Sequence, residues 1–198
     1  MPNFCNNTLV ATFFSPEEAE AFKQSVKKTG LLETLKPMPE EVKDTTVGNH
    51  GFDMNDERGW YGWACNHWGT KWSEGILNIK RTKNKLRIEY ETAWCPPTEA
   101  LEALQTIPGF KRAFNMYNEA GCDFIGYTLF NWEAGLDEDH CYDMSEVLTK
   151  YGAPEWDDQK DNDDDKYWIT HANEQYKARN TFFKIRLGED MGTMGLGG

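Results

Sequence analysis

Four tryptophans stand within fourteen positions, in GWYGWACNHWGTKW at 59–72. Indole rings at that density can stack on a base or nucleotide, each stack being worth about 1–3 kcal/mol. Lys71 would add a phosphate contact. Trp68, Lys71 and Trp72 in WGTKW, with Trp94 at the end of TAW, form a candidate ligand-binding set. The competing use is packing. On a helix, Trp60, Trp63, Ala64 and His67 fall on one face at i, i+3, i+4 and i+7. Basic residues are sparse nearby, Arg58 and Lys71 only. That pattern favours a buried stripe, with Trp68 and Trp72 off it and expected at the surface.

A second set lies towards the C-terminus. The segment EWDDQKDNDDD (155–165) holds seven acids and one lysine. Trp156, Asp157, Asp158, Asp161, Asp163, Asp164, Asp165, Tyr167 and Trp168 combine dense carboxylates with aromatic anchors. Such a set can imitate a phosphate backbone and engage a basic protein surface. Clustered charge steers the encounter, and Trp and Tyr are favoured as interface anchors. The plainer use is a solvated linker.

Metal chemistry has weaker signals. Cys65-x-His67 and His140-Cys141 are the close thiol–imidazole pairs. A closed zinc site takes four ligands, usually as two spaced pairs, and positions 65 and 67 diverge on a helix. Asp161, Asp163 and Asp165 match the first three ligand positions of an EF-hand loop. Lys166 then replaces the required glycine and Ala172 the bidentate glutamate. Neither a metal nor a cofactor is expected. No GxSxG, HExxH, P-loop or GxGxxG pattern occurs. Any Cys–His pair would have to be assembled across the fold from His50, His67, His140 or His171. No catalytic residue is assigned, and a non-enzymatic protein is expected.

Bulk composition agrees. The 198 residues carry a net charge of −12. Residues 135–198 hold 15 acids against 7 bases, and residues 1–134 hold 18 against 14. An acidic surface repels phosphate backbones, which argues against a broad duplex-binding face, and it attracts basic partners. The five cysteines are odd in number and lack a CxxC pair. With no signal-like or membrane-spanning apolar run, a reduced cytoplasmic protein with free thiols is expected.

The elements that must position these residues follow from pattern. Cys5–Phe14 reads as a strand. Residues 16–29 read as a helix capped by Ser15, with Pro16 in its first position and Gly30 beyond its end. Residues 35–42, with two prolines, read as extended, and 43–58 as a loop. Next comes the tryptophan helix, ending at Gly69. Residues 75–94 alternate as a hairpin turning at Lys83-Asn84. Residues 95–109 hold a short helix, and 110–132 a second hairpin around Ala120-Gly121. Residues 143–152 and 166–180 read as helices, 181–187 as a strand with Phe183, Ile185 and Leu187 on one side, and 188–198 as a mobile tail.

Without the extra helix and the last strand, the order is β-α-β-β-α-β. The expected class is α+β, a ferredoxin-like (split β-α-β) antiparallel sheet with helices on one face. An inserted Trp-rich helix and an acidic C-terminal extension are added to it. The expected division is a ferredoxin-like domain over 1–135, the extension over 136–187 and the tail over 188–198.

Five short motifs occur in one order: MPNFCNN at the start, PMPEE at 37–41, WGTKW at 68–72, TAWCPP at 92–97, and the spaced set Tyr117, Glu119, Gly121, Phe124 and Gly126. Together they resemble the plasmid YubB-like and phage Api-like family, whose members carry a ferredoxin-like domain. Phe4 stands where the family has Trp, and Ala120 where Pro is common. The resemblance covers about residues 1–135 and implies a mobile-element origin. It implies no catalytic residue.

The leading expectation is therefore a non-enzymatic acidic binding protein of phage or mobile-element origin. It would inhibit a host defence or nucleic-acid-binding protein in the bacterial cytoplasm by occupying a basic surface. The alternatives are a nucleotide or single-stranded nucleic-acid binder on the tryptophan set, and an enzyme of unrecognised type.

Overall fold

The computed structural model describes residues 3–45, 53–133, 135–154 and 165–193, with the backbone alone for 135–137, 165–168 and 188–193. The described residues form an α+β fold. In chain order come β1 (Phe4–Phe13), α1 (Pro16–Thr29), α2 (Leu31–Leu35), α3 (Glu40–Lys43), α4 (Trp60–His67), β2 (Gly75–Thr82) and β3 (Lys85–Ala93). Then follow α5 (Thr98–Leu101) with a 3₁₀ turn (Glu102–Thr106), β4 (Phe110–Glu119), β5 (Phe124–Asn131), β6 (Gly135–Asp143), α6 (Met144–Lys150) and α7 (Asp165–Thr193). The strands make one six-stranded antiparallel sheet in the order β2-β3-β1-β4-β5-β6.

Strand β1 is central because its alternation is complete: Cys5, Asn7, Leu9, Ala11 and Phe13 are all buried. Leu9 lies opposite Ile88 and Asn115, and Ala11 opposite Leu86 and Ala113. These residues share one sheet face, since residues directly opposite across a ladder point the same way. Helix α1 covers that face with Ala19, Phe22 and Val26. Its start is a capping box. The Glu18 amide donates to Ser15 Oγ at 3.2 Å, and the Ser15 amide donates to the Glu18 carboxylate at 2.9 Å. Such a cap is worth about 1 kcal/mol.

Four expectations need correction. Residues 35–42 are not extended throughout: Leu35 ends α2, and Glu40–Lys43 form a helical turn. Pro39 precedes that turn, where a missing amide costs nothing, and Glu40 and Glu41 suit its positive end. Strand β6 was not foreseen, because GLDEDHCYD lacks apolar alternation. The strand expected at 181–187 is helix, part of a continuous α7. Ala178, Phe182, Phe183 and Leu187 are buried at helical spacing, while Ile185 is 39% exposed, so the period-2 pattern there is coincidental. Finally, residues 188–193 continue that helix instead of beginning a tail. Residues 194–198 lie outside the described residues.

The chain divides into two compact units, one of Met1–Cys122 with Gly126–His140, the other of Asp123–Ile125 with Cys141–Gly198. The first has its main core between the sheet and α1. In the second, Leu148, Ala153 and Ala178 cluster with Met144 and Tyr151, and the Phe182 ring meets Tyr142 and Tyr151 edge-on. Among the described residues, no helix is long and apolar enough to cross a membrane.

Candidate functional site

The tryptophan helix builds its own small core. Trp63, Ala64 and Trp68 pack with Leu32, Met38, Val42 and Ala100, and Trp60 closes the edge. Trp68, expected at the surface, is only 3% exposed. Its ring meets Trp63 edge-on at 5.4 Å, and its Nε1–H donates to the Lys36 carbonyl at 2.8 Å. Helix α4 stops at His67, and Gly69 takes φ +74°. Trp68 itself keeps right-handed backbone (φ −97°, ψ −21°) and its amide donates to the Ala64 carbonyl. It therefore continues the buried stripe at i+4 from Ala64 and i+8 from Trp60, and the chain turns away only at Gly69. A Cβ on Gly69 would meet the Glu99 carboxylate, a flexible chain end, so it is the left-handed φ that favours glycine there.

Beyond Gly69 the WGTKW loop is clamped to the end of β3. Thr70 Oγ donates to the Ala93 carbonyl at 3.0 Å and accepts the Ala93 amide at 3.1 Å. Cys95 Sγ donates to the Gly69 carbonyl at 2.9 Å. Lys71 Nζ lies 5.1 Å from the centre of the Trp72 ring and 5.7 Å from that of Tyr61, a cation–π arrangement. Trp94, just past β3, has φ +71° and is 45% exposed. The candidate ligand set is thus divided: Trp68 belongs to the interior, Lys71 and Trp72 are half-buried together, and Trp94 stands exposed. Tyr61, which shares the Lys71 ammonium with Trp72, was missed; its i, i+4 spacing to Cys65 carried no signal of it.

A buried polar chain crosses the same unit. Tyr90 OH donates to Asn115 Oδ1 at 3.0 Å, and Asn115 Nδ2 to Asn7 Oδ1 at 3.1 Å. Asn7 Nδ2 in turn donates to Thr92 Oγ and to the Cys5 carbonyl, both at 2.9 Å. Every member is essentially inaccessible. A satisfied network of this kind specifies one register of the sheet. Tyr117 OH and Thr128 Oγ both donate to Asp139 Oδ1 at 3.1 Å. Gly126 makes room for this, because a Cβ there would lie 2.2 Å from the His140 carbonyl oxygen. Glu119, 2% exposed, accepts the amides of Gly121 and Cys122 in the β4–β5 turn. Its position in the motif is explained by that turn.

Burial sets three of the five thiols, Cys5, Cys65 and Cys95, against nucleophilic chemistry. Burial, then neighbouring Cys95 and Glu119, pushes the Cys5 thiol far above its usual value. Cys95 is pushed up to about 11 by burial, then by Glu99 and Cys65. Burial also raises Cys65, against a hydrogen bond with Tyr61 and the charge of Lys71. The protonated thiol is a poor nucleophile and a poor metal ligand. His67 stacks on Trp63 at 4.5 Å and pairs with Glu57, while His140 Nε2 sits 2.7 Å from Glu138. Among the described residues, no group of three or more His, Cys, Asp or Glu is arranged to hold a metal ion.

Trp156, Asp157, Asp158, Asp161, Asp163 and Asp164 lie outside the described residues. Asp165 is the first residue of α7, and Tyr167 and Trp168 belong to its first turn. In the same unit a cavity of about 250 Å³ is lined by Tyr142, Glu146, Lys150, Tyr151, Phe182 and Arg186. Arg186 lies over the Tyr142 ring at 5.7 Å, and Lys150 over Tyr151 at 5.8 Å.

No protein-family model matches the chain, and no curated protein matches it. Among solved structures, it is similar to the crystal structure of a protein api92 from Yersinia pseudotuberculosis, of the DUF1281 family. The identity is 11% and the TM-score 0.43, over 72% of this chain and 98% of that one. That likeness assigns neither family nor function.

Proposed function

We propose that this chain is a non-enzymatic, acidic binding protein that inhibits a host protein by occupying a basic surface on it. On this reading the scaffold is ferredoxin-like and akin to the plasmid YubB-like and phage Api-like proteins. The arrangement β2-β3-β1-β4, with α1 after β1 and α5 after β3, supports that scaffold. The observation that carries the function is the uneven charge, 15 acids against 7 bases over 135–198, with seven acids in 155–165 alone. Two findings add support. The densest aromatic cluster is largely spent on packing, and burial raises the thiol pKa of Cys5, Cys65 and Cys95. The acidic segment with Trp156, Tyr167 and Trp168 is then the strongest remaining recognition feature. The target would be a defence or nucleic-acid-binding protein, whose phosphate-binding surface the carboxylates imitate.

The test is kinetic. A partner recovered by pull-down from bacterial lysate is immobilised, and association is followed as salt is raised. Steering predicts an association rate that falls about tenfold or more from low to high salt. Asp161→Asn/Asp163→Asn/Asp164→Asn/Asp165→Asn should associate more slowly with unchanged circular dichroism. A salt-independent rate, or a variant as fast as the parent, overturns the reading. The alternative is a nucleotide site on Lys71, Trp72 and Trp94, favoured by the ammonium held over a half-buried indole. It predicts quenching of tryptophan fluorescence by nucleotides, abolished in Lys71→Gln.

A further inference from the structure

The end of the sheet where β2 turns into β3 is basic, although the chain as a whole carries −12. Seven of its 21 lysines and arginines gather there: Lys80, Arg81, Lys83, Lys85, Arg87, Lys111 and Arg112. They come from three strands and one turn, so no linear run announces them all. Register sorts them by face. Thr82 lies opposite Lys85, Lys85 opposite Thr12, and Thr12 opposite Arg112. In the next row of that face, Lys80 lies opposite Arg87, Arg87 opposite Val10, and Val10 opposite Phe114. Leu86, Ile88, Ala11 and Ala113 alternate with these positions and point into the core beneath α1. Lys80, Lys85, Arg87 and Arg112 therefore share the face turned away from α1. Arg81 points the other way and pairs with Glu20 at 2.6 Å.

Lys80, Lys85 and Arg87 are exposed and Arg112 half-buried. Lys80 and Arg87 are directly opposite, a placement of like charges that costs stability in a sheet. Glu89 meets Arg87 at 2.9 Å. Adjacent strands lie about 4.8 Å apart. Lys85 and Arg112, separated by Thr12, therefore stand about 10 Å apart along the row. A small anion spans one of these groups, whereas a chain of anions meets several.

Aromatic rings border the same end. Phe14 follows β1 and is 58% exposed, and Trp132 follows β5 and is 52% exposed. Their rings meet edge-on at 6.2 Å. Lys111 Nζ lies 6.0 Å from the Phe14 ring centre, and its carbonyl accepts the Trp132 amide at 3.1 Å. Exposed rings beside a row of cations are what unpaired bases and their phosphates require. Duplex DNA hides its base faces, and the net charge of −12 repels its dense phosphates.

We infer that the Lys80–Lys85–Arg87–Arg112 strip, with Phe14 and Trp132 at its border, binds single-stranded nucleic acid. These residues are distinct in sequence from the acidic segment, and the inference does not depend on the inhibitory reading. The full chain is titrated against labelled single-stranded DNA and RNA of about twelve nucleotides, followed by anisotropy. Binding is expected at low salt, weakening with a log–log slope of about −2 to −3 for three to four neutralised phosphates. Lys85→Gln/Arg87→Gln/Arg112→Gln should lower affinity at least about tenfold and cut the slope by about 2. Trp132→Ala should lower affinity about tenfold with the slope unchanged. Circular dichroism checks the fold of each variant.

Three outcomes overturn the inference: no binding of either strand at low salt, unchanged binding by the triple variant, or preference for a duplex. A fourth is salt-sensitive self-association, lost in the triple variant, without oligonucleotide binding. The occupant would then be the acidic segment of a second copy.

Discussion

Thr70 and Ala93 exchange two hydrogen bonds, the threonine hydroxyl taking the amide and capping the carbonyl of the same strand residue. Both residues are almost fully buried. One side chain thus replaces the neighbouring strand that β3 lacks at its end, and fixes the WGTKW loop against TAWCPP. Thr70→Val keeps the shape and removes the hydroxyl, leaving a buried amide and carbonyl without that partner. The expected loss is about 1–3 kcal/mol in a denaturant titration. Thr70→Ser retains the bonds and should lie much closer to the parent.

Trp68 tests whether the cluster is interior or platform. Truncation to alanine should cost about 3–5 kcal/mol, as for other large core rings. Trp68→Phe keeps most of the packing and loses the bond to Lys36, for about 1 kcal/mol. A Trp68→Ala variant as stable as the parent would return the ring to the surface.

Glu74 gives stability an unusual dependence on pH. Its carboxylate accepts the amides of Leu31 and Leu32 and caps the start of α2 from across the chain. Burial raises its pKa above the usual 4.5, the two amides oppose the rise, and nearby Glu33 adds to it. The folded state therefore holds this proton more tightly than the unfolded state. Its contribution is complete below pH 4.5 and is lost as pH rises through the elevated value. Glu74→Gln keeps an acceptor and cannot ionise. Its stability relative to the parent should increase with pH across that window, as read from unfolding midpoints. Parallel pH profiles would contradict this.

Thiol labelling should follow burial. Cys122 and Cys141 are exposed, Cys65 and Cys95 partly covered, and Cys5 wholly buried. Alkylation with iodoacetamide at neutral pH, read by mass spectrometry, should mark the exposed pair first and Cys5 only on unfolding. Because the thiolate is the reacting form, labelling of Cys95 should climb as pH approaches about 11.

Wherever one chemical pattern had one consequence, the sequence alone determined the outcome. The capping box at Ser15 and Glu18, the alternation of Leu86, Ile88 and Tyr90, and the stripe of Trp63 and Ala64 each named an element and its buried face. These are local effects, set by propensity and by the spacing of apolar side chains. The charge imbalance was also legible there, since counting needs no coordinates. Tertiary structure decided the rest. Trp68 is interior because Leu32, Met38, Val42 and Ala100 from other parts of the chain pack with it, and TFFKIRL became helix because its buried side chains, with Ala178, recur at helical spacing. GLDEDHCYD paired as a strand without any apolar signal of its own. The basic strip exists only because strand register sets Lys80, Lys85, Arg87 and Arg112 side by side on one face. Hydrogen-bonded pairing joins residues that are remote in sequence, and a one-residue slip would move each to the opposite face. Which charges become neighbours is therefore a property of the folded sheet.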